Sequence, residues 1–172
     1  MGSGASNNVD MEQLKKTYEM LVERYSDYVY NLTYYTLLNE EEARDLTQDI
    51  FLKIWKGLAN FRGNSSYKTW IYRITVNHIN SYLRKKRIRR FLSLEFLHEK
   101  NGFEPHVEMN TEKDHLEIAM EKLPEHMRTV LVLFYLENYD IKEIANILGV
   151  KEGTIKSRLS RARQALKEVM GG

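Results

Sequence analysis

The run Ile144-Ala145-Asn146-Ile147-Leu148-Gly149-Val150-Lys151-Glu152-Gly153-Thr154-Ile155-Lys156-Ser157-Arg158-Leu159-Ser160-Arg161-Ala162-Arg163 constrains the fold of this chain more than any other feature. It spells a helix, a glycine-bearing turn and a second helix. Ala145 is small where two helices would cross closely. Gly149 stands where a left-handed turn residue is needed, a conformation glycine adopts without steric cost. Thr154 is expected at the start of the second helix, its hydroxyl capping free N–H groups. Ile155, Leu159, Ala162 and Leu166 recur at spacings of four, three and four, which defines a core stripe. Lys156, Ser157, Arg158, Ser160, Arg161 and Arg163 then fall on other faces. Such a helix fits a major groove. Arginine can read guanine bidentately and serine can bond bases or phosphates. Lys156 and Arg163 suit phosphates, which position a helix without specifying sequence. The bland alternative is a surface helix with ordinary charges.

Net charge is only +2, but its distribution is uneven. Residues 39–49 hold five acids and one base, whereas residues 62–90 hold nine bases and no acid. Residues 95–125 hold nine acids and three bases; residues 151–167 hold six bases and one acid. Alternation of this kind predicts two anion-binding surfaces separated by acidic faces.

The absence of cysteine excludes disulfides and cysteine-based zinc sites, and it fits a reducing, cytoplasmic setting. No apolar run approaches the ~20 residues of a membrane span. Residues 1–10 open with Met1-Gly2-Ser3-Gly4-Ala5-Ser6, read as a tag remnant and as disordered rather than as a signal peptide. His78, His98, His106, His115 and His126 lack the paired spacing of a metal site, and no nucleophile or phosphate-cradling motif occurs. No catalytic residue, metal or cofactor is expected.

Apolar periodicity predicts an all-α fold. Leu14, Tyr18, Leu21, Val22, Tyr25, Val29, Leu32 and Tyr35/Thr36 follow one helical face. Asn39 is placed to cap a second helix, and Glu40, Glu41 and Glu42 suit the positive end of its dipole. Ala43, Leu46, Ile50, Phe51, Ile54 and Leu58 line that helix, and a loop from Phe61 to Ser66 follows. A third helix from about Tyr67 places Trp70, Ile71, Ile74 and Ile79 inward and ends near Arg90. Residues 92–111 lose periodicity around Asn101-Gly102-Phe103-Glu104-Pro105, which predicts a flexible linker. Beyond it come a short helix from Glu112 to Lys122, Pro124 at a first helical position, a helix over 125–138 and the helix-turn-helix. The expectation is two small helical domains, residues 11–91 and 112–170, the second of helix-turn-helix type.

Residues 61–90 interleave Phe61, Tyr67, Trp70, Tyr72 and Tyr82 with cations and with Asn64, Asn77 and Asn80. Unpaired bases require that mixture: stacking gives roughly 1–3 kcal/mol per base and the cations follow the backbone. The loop at 61–69 could hold a base flipped from the duplex, a step costing a few kcal/mol. Trp70 and Tyr72, beside Ile71 and Ile74, also read as core. Arg84 through Arg90 read as a phosphate clamp or as a tail. On the acidic helix, Glu41, Glu42, Asp45, Gln48 and Asp49 lead into Phe51, Leu52 and Trp55. This pattern fits either an ordinary amphipathic helix or a face for a basic protein partner, with Phe51 or Trp55 as an exposed anchor.

Taken together, these residues resemble the bacterial extracytoplasmic-function (group IV) RNA polymerase sigma factors from about Met11 to Met170. The likeness rests on Ala43 through Trp55, Phe61-Arg62-Gly63, Lys68 through Asn77, Leu123-Pro124, Arg128, Glu143-Ile144-Ala145 and Gly153 through Arg163. It implies that Asp45, Gln48, Asp49, Phe51 and Trp55 bind the clamp coiled coil of the polymerase β′ subunit. It implies that Phe61, Arg62, Gly63, Asn64, Tyr67, Lys68 and Thr69, with Asn77, capture a flipped base of the −10 promoter element. Arg84, Lys85 and Arg87 would hold nearby backbone. Thr154, Lys156, Ser157, Arg158, Ser160, Arg161 and Arg163 would read the −35 element as duplex DNA. The β flap would touch the second domain, an anti-sigma factor would cover these surfaces, and there would be no membrane insertion. The family often has Asp or Asn four residues after Asn77, where this chain has Ser81 beside Asn80. A stand-alone helix-turn-helix regulator would leave residues 39–90 unexplained. A nucleic-acid enzyme would need the metal or nucleophile site that the sequence does not offer.

Overall fold

The computed structural model describes residues 3–96 and 112–170, and among them there is no strand. Helix α1 (Ser3–Leu37) is 35 residues long and already runs through most of the stretch read as a tag remnant. Leu21, Val29 and Leu32 on its inner face are fully buried. It stops at Leu38, whose φ of 54° turns the chain away from the helix.

Asn39 then starts α2 (Glu40–Leu58): its side chain accepts the Glu42 N–H at 2.9 Å, and three glutamates occupy the first turn. Helix α3 (Tyr67–Phe96) is capped by Ser66, whose hydroxyl accepts the Thr69 N–H at 3.1 Å. It continues six residues past the end expected near Arg90. A run of arginine and lysine is a good helix former, and nothing in it stops the helix. The rest of the expected linker, residues 97–111, lies outside the described residues. Helices α1, α2 and α3 bury Ile50, Ile54, Ile71, Tyr72 and Ile79 between them.

The second domain wraps α4 (Glu112–Glu121), α5 (Glu125–Leu131) and α6 (Ile141–Leu148) around α7 (Glu152–Met170). Pro124 stands one residue ahead of α5, just outside the helix. The helix expected over 125–138 is shorter: α5 passes at Val132 into a single π turn over Val132–Leu136. Buried Val130, Leu131, Val132 and Leu133 form a continuous apolar run there, a composition that does not distinguish α from π hydrogen bonding. Asp140 and Glu143 close a reciprocal capping box at the start of α6. Gly149 ends α6 with φ 66° and ψ 35°, the left-handed geometry its position demanded.

The two domains touch. Helix α1 lies on α5 and its π turn, and α3 lies on α6.

Candidate nucleic-acid and protein interfaces

Helix α7 begins at Glu152, two residues before Thr154, and the carbonyl of Lys151 accepts the Thr154 and Ile155 N–H groups at 2.9 and 3.4 Å. Thr154 is therefore in the first turn and is not the cap. Its carbonyl accepts the Ser157 hydroxyl at 3.0 Å. Ile155, Leu159 and Ala162 are buried as their spacing required, which leaves Lys156, Ser157, Ser160 and Arg161 on the exposed face. Arg158 is half-buried, and its charge together with burial lowers the pKa of His126, burial being the larger cause. Arg163 is exposed as well, but it has a partner within the chain. Its Nε donates to the Tyr135 hydroxyl at 2.7 Å and its guanidinium lies 5.4 Å from the Phe134 ring centroid.

The N-terminal basic surface divides in two. Asn77, Arg84 and Arg87 line one open groove of about 620 Å³ with Asn80, Ser81 and Ile88. Residues 77 and 84 share a face because seven residues make two helical turns. Lys85 instead lines a neighbouring groove of about 800 Å³ between α2 and α3, together with Asp49, Lys53, His78, Arg84 and Arg89. Lys86, in the same basic run, is tied to Glu42 at 2.6 Å.

At the other end of α3, Phe61 stacks on Tyr67 with ring centroids 4.6 Å apart and leans on Trp70 at 5.0 Å. Arg62, Gly63 and Asn64 project as an exposed turn in which Gly63 takes φ 70°. Trp70 packs over α2, so close that a Cβ on Gly57 would sit 3.1 Å from its ring. Tyr72 is fully buried, in line with its core reading. Lys68 belongs to the predicted strand-binding set but turns toward the second domain, 4.4 Å from the Tyr139 ring centroid.

On α2, Asp45, Gln48 and Asp49 are exposed as expected. The aromatic anchors are not. Phe51 is 7% exposed, because it stands three residues before buried Ile54 and seven before buried Leu58, on the core side of the helix. Trp55 is half-buried, edge-on to Tyr18 at 5.1 Å. Leu52, 56% exposed, is the apolar side chain the acidic face presents. The sequence signal was available: position 52 falls one residue off the buried stripe.

Residues 21–89 match the family model Sigma-70 region 2, and residues 116–166 match Sigma-70, region 4. The ECF RNA polymerase sigma factor SigW of Bacillus subtilis is 30% identical, over 92% of this chain and 93% of SigW. This chain belongs to the extracytoplasmic-function (ECF) RNA polymerase sigma factors. The RNA polymerase sigma-H factor of Pseudomonas aeruginosa is 30% identical over 91% of this sigma factor and 87% of its own length. SigE of Mycolicibacterium smegmatis is 32% identical over 90% of this chain, which spans only 62% of that longer relative. Among solved structures, the sigma factor RpoE of Bartonella quintana, in complex with the anti-sigma factor NepR, superposes with a TM-score of 0.75 at 25% identity, covering 91% of this chain and 98% of RpoE. CnrH, solved with the cytosolic domain of CnrY, shares the fold at a TM-score of 0.66 and 23% identity, over 91% of this chain and 89% of CnrH.

Burial lowers the pKa of His78 and Lys53 lowers it further, while Asp49, 3.8 Å away, pulls the other way. His78 thus favours its neutral form beneath the exposed carboxylate of Asp49. Among the described residues no helix is long and apolar enough to cross a membrane, and no cluster of His, Asp and Glu could hold a metal ion.

Proposed function

We propose that this sigma factor, of group IV within its family, binds core RNA polymerase and directs initiation at promoters that it reads twice. The exposed face of Lys156, Ser157, Ser160 and Arg161 on α7, flanked by Arg158, takes the −35 element as duplex. The exposed turn at Arg62, Gly63 and Asn64, the Phe61–Tyr67 stack and Thr69 take a base of the opened −10 element. Asn77, Arg84 and Arg87 carry the adjoining strand, with Lys85 beside them. The carboxylates of Asp45 and Asp49, with Gln48 and exposed Leu52, meet the β′ clamp coiled coil. The β flap touches the second domain. One observation carries this reading: two basic surfaces sit on separate helical domains, and an acidic face that would repel DNA lies beside one of them.

Binding supplies the free energy, and the polymerase performs phosphoryl transfer. The chain itself is not an enzyme. Two sites joined by a linker between residues 11–91 and 112–170 gain from effective concentration when both engage one DNA. Work of this kind places the protein in the bacterial cytoplasm. An anti-sigma factor regulates it, as the RpoE–NepR complex supports.

The test is footprinting of promoter DNA by the chain with core polymerase. Protection of two segments, one of them carrying unpaired bases reactive to permanganate, is expected. Protection of a single duplex segment, unchanged when polymerase is left out, would favour a stand-alone regulator instead.

A further inference from the structure

Between the basic end of α3, the first turn of α5 and the last residue of α1 lies a pocket of about 220 Å³. Leu37 and Leu83 form its apolar wall. Arg87, Arg90 and Arg128 bring guanidinium groups to it, and Glu125 is its carboxylate. Leu83, Arg87 and Arg90 follow one another at spacings of four and three, so one face of α3 carries all three. Lys86 also lines the pocket, but its ammonium already holds both carboxylate oxygens of Glu42, at 2.6 and 2.7 Å. With Lys86 so balanced, three guanidiniums face one carboxylate, which leaves two positive charges in excess.

Arg128 is the unusual member. It is half-buried, and no described residue lies within hydrogen-bond distance of its buried Nε. Burial pushes the pKa of the guanidinium down, while the charges of Glu125 and then Glu121 act against that. Arginine keeps its proton under such pressure, so the group stays a cation with an unmade hydrogen bond. A donor of that kind is costly to hold out of water unless an acceptor is brought to it.

The shape and charge of the pocket narrow the acceptor. A phosphate monoester carries about −1.5 to −2 charge at pH 7 and three strong acceptor oxygens, which matches the excess. Guanidinium forks grip such oxygens two at a time. A DNA phosphodiester matches less well, because it has a single charge and its chain must run both into and out of the site. The volume falls below the roughly 300–1,000 Å³ of pockets that enclose a whole organic ligand. A phosphate head enters, and whatever it is esterified to stays outside. We propose that this pocket is a binding site for the terminal phosphate or pyrophosphate group of a small molecule, held by Arg128 and Arg90, with Arg87 shared between it and the adjoining groove. The site lies outside the promoter-reading surfaces except at Arg87, and the inference does not depend on that reading.

Titration calorimetry of the whole chain with inorganic pyrophosphate, at constant ionic strength, tests it. Saturable binding of one equivalent is expected. Dimethyl phosphate, a singly charged diester that stands for the DNA backbone, should bind at least roughly tenfold more weakly. Arg128→Gln should weaken pyrophosphate binding roughly tenfold, with helix content by circular dichroism unchanged. Arg90→Gln changes an exposed side chain at the rim and should show a similar loss, so it decides the matter if Arg128→Gln does not fold. Arg84→Gln alters the neighbouring grooves but not this pocket and should leave the affinity unchanged. Heats that never saturate overturn the site. So does undiminished pyrophosphate binding in the folded Arg128 and Arg90 variants, or an equal loss in Arg84→Gln, which would mean diffuse attraction to the basic run. Dimethyl phosphate binding as tightly as pyrophosphate would assign the pocket to DNA and overturn it as well.

Discussion

The Tyr72 phenol, fully buried in the N-terminal domain, donates its hydrogen bond to the Glu137 carboxylate of the C-terminal domain. Burial raises the pKa of both groups, and for Tyr72 the neighbouring Glu137 raises it further. Each depends on the other for hydrogen bonding in a place that water barely reaches. Tyr72→Phe keeps the ring and removes the donor, leaving the carboxylate under-satisfied. A loss of about 1–3 kcal/mol is expected from such a deletion. Urea unfolding followed by tryptophan fluorescence checks it. Glu137→Gln, which can still accept from Tyr72, should lose less.

Arg161 and Arg163 differ in their contacts although both are exposed arginines on α7. Arg163 is engaged by Tyr135, whereas Arg161 projects from the face shared with Lys156, Ser157 and Ser160. Arg161→Ala should weaken −35 duplex binding by ~1–3 kcal/mol where it contacts a base. Arg163→Ala should cost less in binding and more in the packing of Tyr135. Fluorescence anisotropy with promoter duplex, beside a thermal melt of each variant, separates the two.

Asp49 stands exposed on the acidic face of α2, 3.8 Å from His78. Asp49→Lys should abolish co-purification with core polymerase while leaving duplex binding by α7 unchanged. Leu52→Ala should weaken the same assembly by truncating an exposed apolar contact, with fold stability preserved. Equal loss of polymerase and duplex binding in Asp49→Lys would point to misfolding.

Stability should depend on pH with two opposing signs. The pKa of His78 is lowered chiefly by burial and then by Lys53, and that of His126 by burial and Arg158. The unfolded chain therefore binds these protons more readily. Their contribution to stability is complete above the ordinary histidine pKa and is lost as pH falls through it toward the lower folded values. Glu137, its pKa raised by burial, acts in reverse: its contribution is complete below the ordinary carboxyl range and is lost as pH rises through the raised value. Melting temperatures of wild type, His78→Gln and Glu137→Gln across that range resolve the two, and each variant should flatten the limb its residue produces.

Much of the architecture was legible in the sequence because it follows from local rules. Asn39 caps α2, Gly149 takes the left-handed turn, and Ile155, Leu159 and Ala162 face inward at the spacing that predicted them. What escaped depends on packing between distant segments. The half-burial of Trp55, edge-on to Tyr18, follows from the packing of α2 against α1. The π turn at Val132–Leu136 comes from an apolar run that would serve an α-helix equally well. Nothing in the local sequence of Lys68 places it on Tyr139, 71 residues away in the chain. The cap expected at Thr154 falls three residues earlier, at Lys151, whose backbone carbonyl accepts the Thr154 and Ile155 N–H groups. The exposed basic face of α7 was thus readable from periodicity, while the domain seam required the fold.

Run-off transcription by core RNA polymerase on a library of promoter sequences tests the central claim most directly. Adding this chain should produce initiation from a defined subset of templates that share two spaced elements, and Arg161→Ala should lower that signal. Transcripts that start nowhere core enzyme does not already start alone would contradict the account.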